Sequence, residues 1–98
     1  MKKFLTKIKL IISKKAQNEI KLSQDYYNLK KENLGKEFKD DVKHLILNVL
    51  DFPNLYPTIK NDIKRCLLHK FPYSIFYAIR NDKIIILSVA HQNKKPIY

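Results

Sequence analysis

The chain has 98 residues, of which 45% are hydrophobic and 30% charged, and its formal net charge is +11. This length and composition fit one ordinary globular domain over residues 1–98. Because no run of about eighteen apolar residues occurs, no segment is expected to span a membrane. Lys7 and Lys9 interrupt the first apolar stretch, which therefore does not predict a signal peptide.

The cysteine content and the net charge indicate the cellular compartment and the kind of partner to expect. Cys66 is the only cysteine, which excludes an internal disulfide and a cysteine-based zinc site. We therefore expect a reducing, cytoplasmic location, with Cys66 as a small buried hydrophobe. The positive charge favours a phosphate backbone or an acidic protein as the partner.

The first half of the chain predicts one strand followed by two helices. Residues 4–12 alternate imperfectly between apolar and polar side chains, which is typical of a strand near a sheet edge. Ser13 is a suitable N-cap for a helix over residues 14 to about 31. Asn33-Leu34-Gly35 contains the only glycine and marks a break, after which a second amphipathic helix is expected over about residues 35–50.

The second half predicts a loop and three strands. The proline-containing segment 52–58 is expected to be a loop, and strands are expected over residues 63–70, 73–80 and 83–92. Asn81-Asp82 suits a tight hairpin turn because both side chains tolerate positive φ. The order β-α-α-β-β-β predicts an α+β fold, in which an antiparallel helical hairpin packs on one face of a small, mostly antiparallel four-stranded sheet.

Several motifs, taken in their order and spacing, resemble those of one protein family. The stretch Phe71-Pro-Tyr-Ser-Ile-Phe-Tyr77 leads into the C-terminal hairpin, and Val89-Ala-His91 is followed by the basic tail Lys94-Lys-Pro96. Ser13-Lys-Lys-Ala16 opens the first helix, and Tyr26-Tyr27 lies near its end. In these features the chain resembles the RelE/ParE superfamily of toxin–antitoxin toxins, and in particular its ParE-like branch.

The resemblance implies a growth-inhibiting toxin of a type II toxin–antitoxin module. A cognate antitoxin, expected to be acidic and partly disordered when free, would neutralise it in a hetero-oligomer, and a homodimer is also possible. ParE-like toxins poison DNA gyrase, whereas RelE-like toxins cleave mRNA in the ribosome, and the shared fold does not decide between the two. Gyrase inhibition is the first hypothesis. A ribosome-dependent mRNA endonuclease is the alternative, and a non-toxic basic nucleic-acid-binding domain is the second alternative.

An mRNA endonuclease would need cations beside the phosphate and groups that transfer protons. Arg65 and Arg80 are the candidate phosphate ligands, because a guanidinium can bind two phosphate oxygens at once. His91 is the candidate proton-transfer group, with Tyr73 and Tyr98 as further candidates.

A gyrase inhibitor needs a contact surface rather than a catalytic centre. Tyr73, Lys94, Lys95 and Tyr98 are the candidates for binding the target or nucleic acid, since they lie at or beyond the polar end of the C-terminal hairpin. Ser74 stands where several RelE-like nucleases carry an arginine, and this departure favours gyrase inhibition. The sequence contains no Gly-rich phosphate loop, Ser-His-Asp pattern or metal motif, so neither a cofactor nor a metal is expected.

Overall fold

The computed structural model describes residues 8–93, which contain two helices and five strands. In chain order these are β1 (Lys9–Ile12), α1 (Lys14–Lys30), α2 (Leu34–Asp51), β2 (Thr58–Lys60), β3 (Ile63–Leu67), β4 (Tyr73–Arg80) and β5 (Lys83–His91). Of the first strand expected over residues 4–12, the part from Lys9 to Ile12 is confirmed, and residues 4–7 lie outside the described residues. Neither described helix is long and apolar enough to cross a membrane.

The first helix begins where the sequence predicts. The Ser13 hydroxyl accepts a hydrogen bond from the Ala16 backbone N–H at 3.0 Å, which satisfies one of the free N–H groups of the first turn. The backbone N–H of Ser13 donates to the Ile86 carbonyl at 3.0 Å. The cap of α1 is therefore fixed to the sheet, and Ala16, three residues after it, is fully buried.

Asn33 and Gly35 form the break between the helices, and each has a different structural role. Asn33 has a φ of 68°, in the left-handed region, and turns the chain. Gly35 lies inside α2 and is buried, and its N–H donates to the Asn28 side chain at 2.8 Å. A Cβ at this position would come within 2.6 Å of the same Asn28 side chain. The glycine is therefore required by close packing of the two helices and not by the turn.

The described strands form one mixed sheet in the order β1-β5-β4-β3-β2. β1 runs parallel to β5, and the other neighbouring strands are antiparallel. The expected count of four strands was wrong, because Thr58–Lys60 adds a fifth strand at the end of the segment expected to be a loop. This strand has three exposed residues and pairs only with β3, so it leaves almost no pattern in the sequence.

The main core lies between the two helices and one face of the sheet. Its largest fully buried apolar side chains come from α2, β4 and β5, and are Phe38, Val49, Ile75, Tyr77, Ile84, Ile86 and Val89. Because side chains alternate along a strand, Phe76 points to the other sheet face, where it forms a smaller cluster with Ile63 and Ala90. Both faces of the sheet therefore carry buried apolar residues.

The β4–β5 hairpin sets the positions of the C-terminal residues. Asn81 has a φ of 57° in the turn, so the predicted tight turn is confirmed, and Arg80 lies opposite Lys83 across it. A β-bulge follows, since the register shifts between Phe76 and Tyr77.

Candidate functional site

Arg80 lies at the turn end of β4 and binds a carboxylate. Its Nε donates to Asp62 Oδ2 at 2.9 Å and its Nη2 donates to Asp62 Oδ1 at 3.3 Å. This contact occupies the Nε–Nη2 edge of the guanidinium, one of the edges through which arginine can bind two oxygens of a phosphate. The hydrogen bond and charge of Arg80 hold the pKa of Asp62 below its usual range, and Asp62 raises the pKa of Arg80. Arg80 would have to leave Asp62 before it could bind a phosphate through this edge.

Arg65 lies in the middle of β3, opposite Phe76 of β4. Its neighbour Cys66 is buried in the core on the helix side, so alternation places Arg65 on the opposite face of the sheet, where it is exposed. An exposed guanidinium on a sheet face can contact an anionic partner without any rearrangement of the fold.

Tyr73 and His91 lie opposite each other at the open end of the hairpin. Their ring centroids are 5.2 Å apart in an edge-to-face arrangement. His91 Nδ1 accepts a hydrogen bond from the Asn93 backbone N–H at 3.1 Å. In the neutral imidazole the proton therefore resides on Nε2, which is left as a donor.

The structure does not bring Arg80 and His91 together. Arg80 lies next to the hairpin turn. His91 lies opposite Tyr73, which is seven residues from Arg80 at the other end of β4. At about 3.3 Å per residue this places the two backbone positions about 23 Å apart. Of the predicted site residues, Tyr73 and His91 lie next to each other, whereas Arg65 and Arg80 lie at other positions of the sheet. Lys94, Lys95 and Tyr98 lie outside the described residues.

Cys66 is buried, as the sequence predicts. It retains 3% of its accessible surface, and burial raises the pKa of its thiol to about 12. Its Sγ contacts the Ile75 carbonyl oxygen at 3.8 Å. A thiol in this state is a poor nucleophile. Within residues 8–93 there is also no group of three or more His, Cys, Asp or Glu residues arranged to hold a metal ion.

A further surface is a groove of about 780 Å³ between α1, α2 and β1. Its floor is apolar and is formed by Leu10, Ile12, Ile20, Val42, Ile46 and Leu50. Leu47 lines the groove as well and remains 49% exposed. We call this surface the interhelical groove. An apolar groove beside two helices can receive the apolar face of a further helix.

The rim of the interhelical groove is basic. Lys36, Lys39 and Lys43 recur at three- and four-residue spacing on α2, which places them along one side of the helix. The rim also contains Asp40, which forms an exposed ion pair with Lys36 at 3.1 Å. Three positive charges against one negative charge leave the rim with a net attraction for an acidic partner.

Comparison with known proteins identifies the class of protein to which this chain belongs. A family model described as the ParE toxin of the type II toxin–antitoxin system, parDE, matches residues 10–96. The protein is therefore the toxin component of a type II toxin–antitoxin system. Within that class, the chain belongs to the ParE toxin family, as its resemblance to the ParE-like branch predicts.

A solved structure agrees with this assignment at the level of the fold. The chain is similar to a protein of the chromosomal ParDE TA system from P. aeruginosa, with a TM-score of 0.66 and 16% sequence identity. The likeness covers 86% of this chain and 95% of that chain. At this identity the similarity shows a shared fold alone. No curated protein sequence matches the chain.

Proposed function

We propose that this ParE-family toxin inhibits growth by acting on DNA gyrase in the cytoplasm, and that an acidic antitoxin neutralises it through the interhelical groove. Membership of the ParE family supports the gyrase target. The separation of Arg80 and His91 on the hairpin also favours inhibition through contact over RNA cleavage, since cleavage needs its groups around one phosphate.

The interhelical groove is the observation that carries the antitoxin part of the proposal. An amphipathic helix would place its apolar residues on the floor formed by residues such as Ile20 and Ile46. Acidic residues at the edges of that helix would lie beside Lys39 and Lys43. Such a segment carries many charges and a single apolar stripe, so it cannot fold alone and would order on binding. A partner that is acidic and partly disordered when free fits this surface.

The gyrase proposal is tested by induced expression and by a supercoiling assay. Expression of the chain without an antitoxin is expected to stop growth and to cause DNA breaks and filamentation, while transcripts stay intact. The purified protein is expected to inhibit supercoiling of relaxed plasmid by gyrase and to increase cleaved plasmid. Transcripts cut within codons, with gyrase unaffected, would instead establish the mRNA endonuclease. Unaffected growth together with unaffected gyrase would contradict the proposal.

The groove is tested with the protein encoded by an acidic reading frame adjacent to this gene. Leu47→Lys is expected to weaken its binding at least tenfold, because the substitution places a charge among apolar side chains. Leu29→Lys is the matched control, since Leu29 is a helical leucine that is 86% exposed and does not line the groove. Calorimetry of both variants distinguishes the outcomes. Equal affinity of the two variants would place the antitoxin on another surface.

Reversal of the rim charge tests the chemistry of the partner. Lys39→Glu with Lys43→Glu is expected to slow association and to reduce its dependence on salt concentration. Lys31→Glu with Lys70→Glu changes the net charge by the same amount at exposed positions that do not line the groove. If both double variants lose the same affinity, the overall charge acts rather than the rim, and the proposed acidic contact is wrong.

A further inference from the structure

A second cavity lies on the other flank of α1 and is lined by aromatic rings. It measures about 630 Å³ and lies between α1 and the open end of the β4–β5 hairpin. Tyr26, Tyr27, Tyr73 and His91 supply its rings. The rings meet edge to face, with centroids 5.2 Å apart for Tyr26 and Tyr27 and 5.2 Å apart for Tyr73 and His91. We call this cavity the aromatic cleft. It shares no residue with the interhelical groove.

The rings differ in how freely they can contact a ligand. Tyr73 is buried, and Tyr27 packs against Phe71 at 4.9 Å and Phe38 at 5.5 Å between ring centroids, so these two belong to the wall. Tyr26 is 51% exposed and offers a ring face at the mouth of the cleft. An exposed aromatic ring at the mouth of a cavity is a platform on which a second planar group can stack.

Polar groups line the same cleft. Ser23 and Asn93 contribute a hydroxyl and an amide, and His91 contributes the Nε2 donor that remains because its Nδ1 accepts from Asn93. The ammonium group of Lys30 lies over the Tyr26 ring, 5.1 Å from its centroid, in a cation–π contact, and this flexible side chain would have to turn from the ring towards the phosphate when a base stacks there. Ring faces, hydrogen-bonding groups and an adjacent cation are the three contacts that an unpaired nucleotide requires.

We propose that the aromatic cleft binds an unstacked base of a single-stranded nucleic acid, with the base on Tyr26 and its phosphate beside Lys30. A base in a duplex keeps both ring faces stacked on its neighbours and cannot occupy the cleft, whereas a base of a single strand can. The net charge of +11 draws the phosphate backbone towards the protein, and the cleft then selects for an exposed base. An apolar side chain from a protein partner would gain nothing from Lys30 or from the His91 donor.

The test uses the purified full chain with three probes of equal length. These are a ten-nucleotide single strand of thymidine, the same strand with abasic sites at every position, and a ten-base-pair duplex. The chain has six tyrosines and no tryptophan, so its intrinsic fluorescence reports directly on the tyrosines, three of which line the cleft. We expect the thymidine strand to quench this fluorescence and to bind at least tenfold more tightly than either other probe. Equal affinity for the abasic strand would overturn the proposal, because phosphate contact alone would then explain binding.

Substitution at the platform gives a second, independent readout. Tyr26→Ala is expected to weaken binding of the thymidine strand about 5- to 150-fold, the range found for the loss of one stacked base. The slope of affinity against salt concentration should stay unchanged, since no phosphate contact is removed. Leu29→Ala lies on the same helix at an exposed position outside the cleft, and it should bind within twofold of the original chain.

Two further results complete the test. Tyr26→Phe retains a ring and should bind like the original chain, whereas loss of binding in this variant would assign the effect to the hydroxyl and overturn stacking. Tyr26→Ala with unchanged affinity would also overturn it. If Tyr26→Ala does not fold, as judged by circular dichroism, the abasic comparison decides alone. Because these assays need neither gyrase nor growth, their outcome is independent of the proposed function.

Discussion

The carboxylate of Glu19 in α1 binds the backbone of Val89 in β5. Its Oε1 accepts the Val89 N–H at 2.8 Å and the Ser88 hydroxyl at 3.0 Å. β1 pairs with β5 only as far as Ile86, so beyond that point this edge of β5 has no neighbouring strand among residues 8–93. Glu19 therefore supplies an acceptor where a strand would otherwise do so, which covers an edge that could pair with another chain.

Loss of the Glu19 carboxylate is expected to destabilise the fold. Glu19→Ala leaves the Val89 N–H and the Ser88 hydroxyl without this acceptor, and hydrogen bonds to a charged group contribute about 1.5–3 kcal/mol each. Because the Glu19 side chain is partly exposed, we expect the two bonds together to contribute about as much as one weak bond of this kind. The expected loss in the free energy of unfolding is about 1.5 kcal/mol in total. Urea unfolding followed by circular dichroism measures it.

Two other variants complete the Glu19 experiment. Glu19→Gln keeps one acceptor oxygen and should lose less than Glu19→Ala. Glu32→Ala removes an exposed acid from the connection between the helices and should stay within about 0.5 kcal/mol of the original chain. Equal stability of Glu19→Ala and Glu32→Ala would show that the edge contact contributes nothing to stability.

Gly35→Ala is expected to destabilise the helix pair, although alanine has the higher helix propensity. Intrinsic propensity favours alanine over glycine by about 1 kcal/mol. The new Cβ would however lie within 2.6 Å of the Asn28 side chain and would also meet the Gln24 carbonyl oxygen. Because a backbone oxygen cannot give way as a flexible side chain can, we expect a net loss of about 1–3 kcal/mol. Chemical denaturation measures this change.

Asn33→Gly separates packing from turn formation in the same segment. Glycine adopts the φ of 68° at this position freely, so the variant should unfold within about 0.5 kcal/mol of the original chain. If Gly35→Ala proves neutral or stabilising, the helices separate at this crossing at little cost, and the close approach does not constrain the sequence.

The elements predicted best are those with a strong local pattern. Ser13 was identified as the N-cap, α2 was placed within one residue at each end, and β4 was placed correctly at both ends. The strand predicted over residues 63–70 was too long, because its last residues form the bend after Leu67. The Asp41 carboxylate accepts the Lys70 N–H there at 2.7 Å, a contact across 29 residues that no local pattern reveals.

The candidate site was harder to predict, because it depends on pairing between distant segments. The predicted turn at Asn81-Asp82 already implies that Arg80 and His91 lie at opposite ends of the hairpin, whereas the position of Arg65 opposite Phe76 depends on the register of β3 on β4. The interhelical groove likewise requires β1, α1 and α2 to meet, although its lysines are visible as a stripe on α2. The aromatic cleft joins Tyr26 to His91 across 65 positions of the chain.

The buried thiol of Cys66 should make stability depend on pH above about 9. Burial raises its pKa from 9.0 to about 12, so the unfolded chain loses this proton before the folded chain does. The contribution of the protonated Cys66 thiol to the free energy of unfolding is present in full below pH 9 and is lost as the pH rises towards 12. We expect the advantage of the original chain over Cys66→Ala to fall by at most about 1.4 kcal/mol per pH unit in this range.

Urea unfolding of both chains at pH 8, 9, 10 and 11 measures this difference. Burial also raises the pKa of Tyr27, which lowers stability at alkaline pH in both chains alike, whereas the pKa values of Tyr56 and Tyr77 are raised by burial and additionally by the neighbouring Cys66. The difference between the two curves therefore reports the ionisation of the thiol together with its electrostatic effect on Tyr56 and Tyr77. Parallel curves would mean that Cys66 becomes accessible to solvent without unfolding of the whole chain.

Arg80 is expected to control the protonation of Asp62. The guanidinium holds the pKa of Asp62 below its usual range, so Arg80→Gln should raise that pKa towards its ordinary value of 3.8. With a lowered pKa, the contribution of Asp62 to stability is present above its ordinary value and is lost as the pH falls through the lowered one. An NMR titration of the Asp62 carboxyl carbon measures the shift, and both partners are exposed, so the change in stability should be small.

Arg65→Gln is the matched control, since it removes the other arginine from the neighbouring strand without removing the Asp62 contact. The titration of Asp62 should be unchanged in this variant. Both variants should still inhibit gyrase if the toxin acts through contact, because neither removes one of the residues predicted to bind the target, which are Tyr73, Lys94, Lys95 and Tyr98. If the original chain cuts transcripts and both variants lose toxicity and leave transcripts intact, both arginines belong to an RNA-cleaving centre. If the RNA phosphate binds the Nε–Nη2 edge of Arg80, it must displace Asp62. An Asp62→Asn variant, which removes the negative charge from that contact, should then cleave transcripts faster than the original chain.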